Sequence, residues 1–132
     1  MRSFLLLLCL FGLAFRADKP AYRLYTGDLK PTTYTKLLRQ ANDADVILFG
    51  ELHNNPICHW LQLQLTKDVA ARKKEKLVLG AEMFEADNQQ ALSQYVSGKT
   101  TSKELADQAR LWTNFKTDYK PLVEIAREQR LS

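Results

Sequence analysis

The sequence predicts an α/β domain: a parallel sheet flanked by helices. Two observations carry that expectation. Val46-Ile47-Leu48-Phe49-Gly50-Glu51-Leu52-His53 and Leu77-Val78-Leu79-Gly80-Ala81-Glu82-Met83-Phe84-Glu85 are each a continuous apolar run that turns abruptly into a glycine and then acidic or imidazole groups. A run without polar alternation is the pattern of a strand buried on both faces, where central parallel strands sit. The two runs are also about thirty residues apart with a helix-like stretch between them, which is the spacing of a βαβ unit. Ligands of such sheets gather at the carboxyl ends of the strands, which directs attention to Glu51, His53, Glu82 and Glu85.

The elements follow in order. Arg2 and the apolar run Phe4 to Ala14 have the charged start and short hydrophobic region of a secretory signal peptide, assigned to residues 1–17 and too short to span a membrane. Lipidation at Cys9 is the less favoured reading, because Leu8 stands where a small residue should precede the modified cysteine. Tyr22-Arg23-Leu24-Tyr25 alternates and runs into Thr26-Gly27-Asp28, an edge strand and turn. Thr32 or Thr33 caps a helix to about Ala41, and Asn42 to Asp45 ends it. After the first strand, Pro56 opens a helix with Ile57, Trp60, Leu61, Leu65 and Val69 on one arc. Past the second strand, Asp87 caps a helix through Val96 that Gly98 stops, and Thr101 or Ser102 with Glu104 starts another. Trp112 to Asp118 is aromatic and polar without a clear period, and Pro121 opens a last helix from Leu122 to about Gln129.

Two parallel strands cannot cover the apolar faces of four helices. Residues 18–132 therefore read as the amino-terminal part of a larger domain and are expected not to fold stably alone. A complete small α/β protein with an unusual sheet is the alternative.

Composition narrows the function classes. The chain has 132 residues, 45% hydrophobic and 26% charged, which suits a single globular domain. Its net charge of +4 falls to +2 once Arg2 and Arg16 leave with the signal peptide, too little to suggest nucleic acid as a partner. The basic run Arg72-Lys73-Lys74-Glu75-Lys76 stands at the expected end of a helix, where cations complement the helix dipole. Only Cys58 remains in the processed chain, so an internal disulfide is excluded and stability must come from a core.

Glu51 and His53 lie two residues apart, which in extended backbone sends both side chains to one side. Imidazole and carboxylate at that spacing suit a divalent metal such as manganese, zinc or cobalt, with Glu82 arriving from the neighbouring strand as a third ligand. His59 could reach back across Asn54-Asn55-Pro56 as a ligand or as the group that orients one. Glu85 is a candidate base or a helix-cap carboxylate. Each of these also has a structural reading: a hydrogen-bonded histidine at a strand end, a core histidine near Leu63, a carboxylate serving a helix terminus. Glu82 is the least easily explained that way, since an unpaired carboxylate among Ala81, Met83 and Phe84 would be costly to bury. Cys58 beside His59 is a conceivable thiolate nucleophile, though a small residue at a helix start suffices.

Gly50-Glu51-Leu52-His53-Asn54-Asn55-Pro56 with His59-Trp60-Leu61-Gln62, then Gly80-Ala81-Glu82-Met83-Phe84, then Trp112 through Tyr119-Lys120-Pro121-Leu122, resembles the ChaN family of haem-binding, iron-regulated lipoproteins in the Tiki superfamily. The resemblance runs from about Tyr22 onward. Asn54 stands where aspartate is frequent and Cys58 where a small residue is usual; the weak lipidation site and a span of about half the family's domain are larger departures. It implies a Rossmann-like domain exported in bacteria to the periplasm or cell envelope, with membrane association if lipidated, that binds haem in iron acquisition and pairs as a homodimer. Haem contacts would then come from Glu51, His53, Glu82, His59 and Tyr119. The family's ligation is ascribed to tyrosine, for which Tyr22, Tyr25, Tyr34, Tyr95 and Tyr119 are all open. Related branches are hydrolases, so a metal-dependent hydrolase on Glu51, His53 and Glu82, with Glu85 or His59 moving the proton, stands as the alternative, and a non-catalytic structural domain as the third.

Overall fold

The structure, a computed structural model, describes residues 19–131. The expected signal peptide and Cys9 lie outside the described residues. The chain divides into two units, Met1–Thr32 and Thr33–Ser132. In the first, β1 (Leu24–Tyr25) and β2 (Pro31–Thr32) pair antiparallel, Leu24 opposite Thr32 and Tyr25 opposite Pro31. Thr26 closes the turn by donating its N–H to the Lys30 carbonyl at 2.9 Å. The expected strand and turn are thus present, as a small hairpin.

The second unit is helical. It contains five α-helices among the described residues: α1 (Tyr34–Asp43), α2 (Pro56–Lys73), α3 (Gln89–Val96), α4 (Ser102–Gln108) and α5 (Lys120–Gln129), three of them with side-chain caps. Thr33 accepts from the Lys36 N–H, Asn55 from the Cys58 N–H with Pro56 in the first turn, and Thr101 and Glu104 form a reciprocal capping box. A 3₁₀ turn, Ala86–Asn88, precedes α3 where Asp87 was expected to cap it directly. Gly98, at φ 77°, ends that helix in a conformation other residues reach only with strain.

Three clusters hold these helices together. Tyr95, Leu105, Phe115, Tyr119 and Val123 join α3, α4 and α5. Ala70, Ile125, Ala126 and Leu131 seat α2 against α5, and Ala41, Leu65 and Val69 seat α1 against α2. Only the carboxyl half of the α2 arc is core; Ile57 and Trp60 near its start are exposed.

The expected parallel sheet is the main correction. The ladder between β1 and β2 is the one sheet among the described residues, and neither 46–49 nor 77–81 pairs with a strand. Both runs keep an inner side: Phe49 and Leu77 pack on the α1–α2 cluster, and Leu77 and Leu79 on the α2–α5 cluster. Their other side is open, with Val46 and Val78 exposed and Leu48 at 92% exposure. Apolar content can press a chain onto helices, but a strand also needs a partner backbone for its N–H and C=O groups, and none of the described residues supplies one. The helices therefore pack mainly on one another instead of flanking a sheet.

Replacing Leu48 by lysine tests that arrangement. A side chain this exposed should tolerate the charge within about 0.5 kcal/mol in chemical denaturation, with less self-association by light scattering. A loss of several kcal/mol would show instead that this segment is covered in solution.

Candidate functional site

The site is assembled by three short pieces of backbone. From Phe49 the chain carries Glu51 to His53 into a turn closed by the Asn55 N–H on the Leu52 carbonyl, 2.9 Å. Asn55 caps α2, which puts His59 in the first turn of that helix, beneath the turn it has just left. The third piece is a single π-helical turn, Phe115–Tyr119, leading into α5. Its wider winding explains why Trp112 to Asp118 shows no 3.6-residue period, and such turns recur at functional sites.

Glu51 joins the three. Its side chain is only 8% exposed. Oε1 accepts from the Tyr119 hydroxyl at 2.6 Å and lies 3.0 Å from His53 Nδ1. Oε2 lies 3.5 Å from His59 Nδ1, and these two buried atoms make no hydrogen bond. His59 is buried, and its Nε2 stands 3.1 Å from the His53 carbonyl oxygen. A carbonyl only accepts, so that nitrogen carries a proton. The Asn114 amide donates to the same carbonyl at 2.7 Å and to Asp118 Oδ2 at 2.8 Å, while Asp118 is 3.7 Å from His59 Nε2. Edge-to-face ring contacts of His53 with Trp112, Trp112 with Tyr119 and Tyr119 with His59 close the arrangement.

Burial by itself would push the Glu51 carboxyl pKa upward; hydrogen bonds from Tyr119 and His53 and the attraction of the two imidazoles outweigh it and hold the group below the usual glutamate value. Tyr119 moves the other way. Its burial, then its bond to the Glu51 carboxylate, push the phenol up to about 12.

Unlike Glu51, His59 and Tyr119, the His53 side chain is 53% exposed. It borders an open cleft of about 650 Å³ whose walls include Leu111, Trp112, Asn114 and Asp118. That size is within the ordinary range for small-molecule sites.

The structure brings together Glu51, His53, His59 and Tyr119 from the expected set and leaves two out. Glu82 is exposed on the turn Ala81–Phe84, so the burial cost that singled it out does not arise. Glu85 is exposed and bonded to Arg110 at 2.8 Å, in a clamp that Arg110 shares with Asp87. Among the described residues no three His, Cys, Asp or Glu side chains are grouped so as to hold a metal ion. Cys58 is half-buried, with Sγ 4.0 Å from the Gly50 carbonyl oxygen. Sequence reasoning missed Asn114 and Asp118; their four-residue spacing is the one signal that could have paired them.

Residues 37–132 match the family model described as haem-binding uptake, Tiki superfamily, ChaN. The match takes in the Glu51 turn, α2 and the π-helical turn, and the chain belongs to that family. Comparison with curated proteins and with solved structures gave no match.

Tyr119→Phe removes the shortest bond to Glu51 and is expected to cost about 1.5–3 kcal/mol in chemical denaturation. The pH dependence fixes the sign. A carboxyl with a depressed native pKa adds stability that is complete above its unfolded value and is lost as pH falls through the native one. The variant, with less depression, should lose less stability than the parent on acidification; equal acid sensitivity would mean the bond does not hold the carboxylate.

Proposed function

We propose that this protein binds haem as an exported component of bacterial haem or iron uptake. The family match across residues 37–132 carries the reading, because the matched segment includes every residue of the Glu51 network and the cleft beside it. Export rests on the sequence pattern of residues 1–17 and on the uptake role of the family. No helix among the described residues is long and apolar enough to cross a membrane.

The residues present fit a haem. The cleft offers a flat indole and an aliphatic wall in Trp112 and Leu111, and an imidazole at its border. Its lining contains no lysine or arginine to meet the propionates. Affinity therefore depends on an iron–protein bond and on apolar contact, and should change little with ionic strength. Bound iron porphyrin would supply the redox and ligand chemistry; the chain's part is to hold and orient it.

The metal-hydrolase alternative needs Glu82 to join Glu51 and His53. The described structure lends it the Glu51–His53 pair and no third ligand. Pairing of two subunits and attachment to the envelope belong to the proposal as the family's mode of action.

Haemin titrated into the purified protein should give a saturable Soret shift at low micromolar protein, nearly unchanged between low and high salt. An unsaturable, linear response would defeat the reading. Near-stoichiometric manganese, zinc or cobalt that is lost in His53→Ala would favour the hydrolase instead.

A further inference from the structure

The two apolar runs carry surface that the helices leave uncovered. Val46 and Leu48 are 74% and 92% exposed and Val78 is 70% exposed, while Phe49, Leu77 and Leu79 pack inward on the helix clusters. Outward and inward side chains thus alternate along both runs, which is the period of a strand. The residues that lead into them have strand backbone: Ala44 at φ −83°, ψ 146° and Leu77 at φ −84°, ψ 130°. Neither run has a strand partner among the described residues. An uncovered apolar strand edge is a template for pairing with another chain.

The flanking charges say which chain. Asp43 and Asp45 precede the first run, and Arg72, Lys73, Lys74 and Lys76 precede the second, with Glu75 as the one acid among them. None of these six makes an ion pair among the described residues. The helix dipole accounts for Arg72 and Lys73 in the last turn of α2; Lys74 and Lys76 lie beyond it. A second copy of this chain carries both halves of the complement.

One register satisfies charge and burial together. With the runs parallel and Val46 level with the partner's Leu77, Asp45 comes level with the partner's Lys76. Residues at one level of parallel strands point to the same face of a sheet. Val46 and Leu48, outward in their own copy, then share a face with the partner's Leu77 and the partner's Leu79, which the partner's helices cover. The partner's Val78 shares the other face with Ile47 and Phe49, on the side of the first copy's helices. A one-residue slip puts the outward residues of both copies on one face, and an antiparallel pairing parts the acid from the base.

We propose that two copies of this chain exchange these runs, 46–49 of each pairing parallel with 77–80 of the other about a two-fold axis along the strands, to form one sheet with the helices of the two copies on opposite faces. Both runs then become strands buried on two sides, which their unbroken apolarity suits. The interface is isologous, so the acid–base contact occurs twice. It uses neither the cleft nor haem and stands or falls separately from the haem reading.

Sedimentation of the haem-free protein tests the exchange, and a closed monomer–dimer equilibrium is expected. Asp45→Lys and Lys76→Asp, both at exposed positions, should each weaken the dimer by about tenfold, since each acts at two symmetric contacts. The double variant, whose charges are opposite again, should recover parental dimerisation. In a Cys9→Ser, Cys58→Ser background, chains with Ile47→Cys mixed with chains with Val78→Cys should give a disulfide-linked heterodimer on mild oxidation, because the spacing of paired strands, about 4.8 Å, is within the reach of a disulfide. A protein that stays monomeric at every concentration, or species that grow beyond the dimer, overturns the proposal. So do charge reversals without effect, a double variant without recovery, or a disulfide that forms only within a chain carrying both cysteines.

Discussion

The burial of one carboxylate, Glu51, organises the functional end of this molecule. A carboxylate withdrawn from water needs donors to offset its desolvation, and each donor here comes from a different part of the chain: His53 from the same turn, Tyr119 from the π-helical turn. His59, from the start of α2, faces the second oxygen. The network thereby ties the end of the first apolar run to α2 and α5, elements that otherwise meet through the cluster around Ala70 and Ile125. Removing Glu51 would leave a phenol buried without its acceptor, a cost separate from any role in binding.

The turn at Phe115–Tyr119 shows how local geometry serves that constraint. An ordinary α-helical continuation of α5 toward its amino end would space side chains at 3.6 residues per turn. The π-helical turn adds a residue, and Phe115 and Tyr119 both enter the core while Asp118 remains near His59 and Asn114. Asn114, just before the turn, spans the remaining gap by donating at once to Asp118 and to the His53 carbonyl. The backbone of His53 is thus held from below by His59 and from the side by Asn114, while its ring stays open to the cleft.

Local signals in the sequence were legible where one residue determines the outcome. Thr33, Pro56, the Thr101–Glu104 pair and Gly98 all mark helix ends because capping, a fixed φ and left-handed backbone depend on single residues, whereas the Asn55 cap emerged only in the structure. Glu51 and His53 were singled out by their two-residue spacing and His59 by its place just across Asn54-Asn55-Pro56, and the structure brings the three together. The sheet was not. The runs at Val46 and Leu77 have strand composition, yet strand formation is decided by a partner backbone that composition does not reveal, and the described residues form their ladder elsewhere. Asn114 and Asp118 were hidden because a π-helical turn breaks the period by which helices are recognised, and the apolar neighbours of Glu82 suggest a burial it does not have.

The proposed haem pocket and the alternative hydrolytic metal centre both draw on the Glu51–His53 pair and the cleft beside it. What separates the two is the rest of the donor set. A hydrolytic metal wants at least three protein ligands around one point and an open position for water. Here the carboxylate that could be a ligand is already occupied by Tyr119 and His53, with one oxygen turned inward to a buried histidine. A haem brings four of its own nitrogens and asks the protein for one donor and an apolar wall. In the proposed haem reading, Trp112 and Leu111 at the cleft would supply that wall without disturbing the buried network behind it.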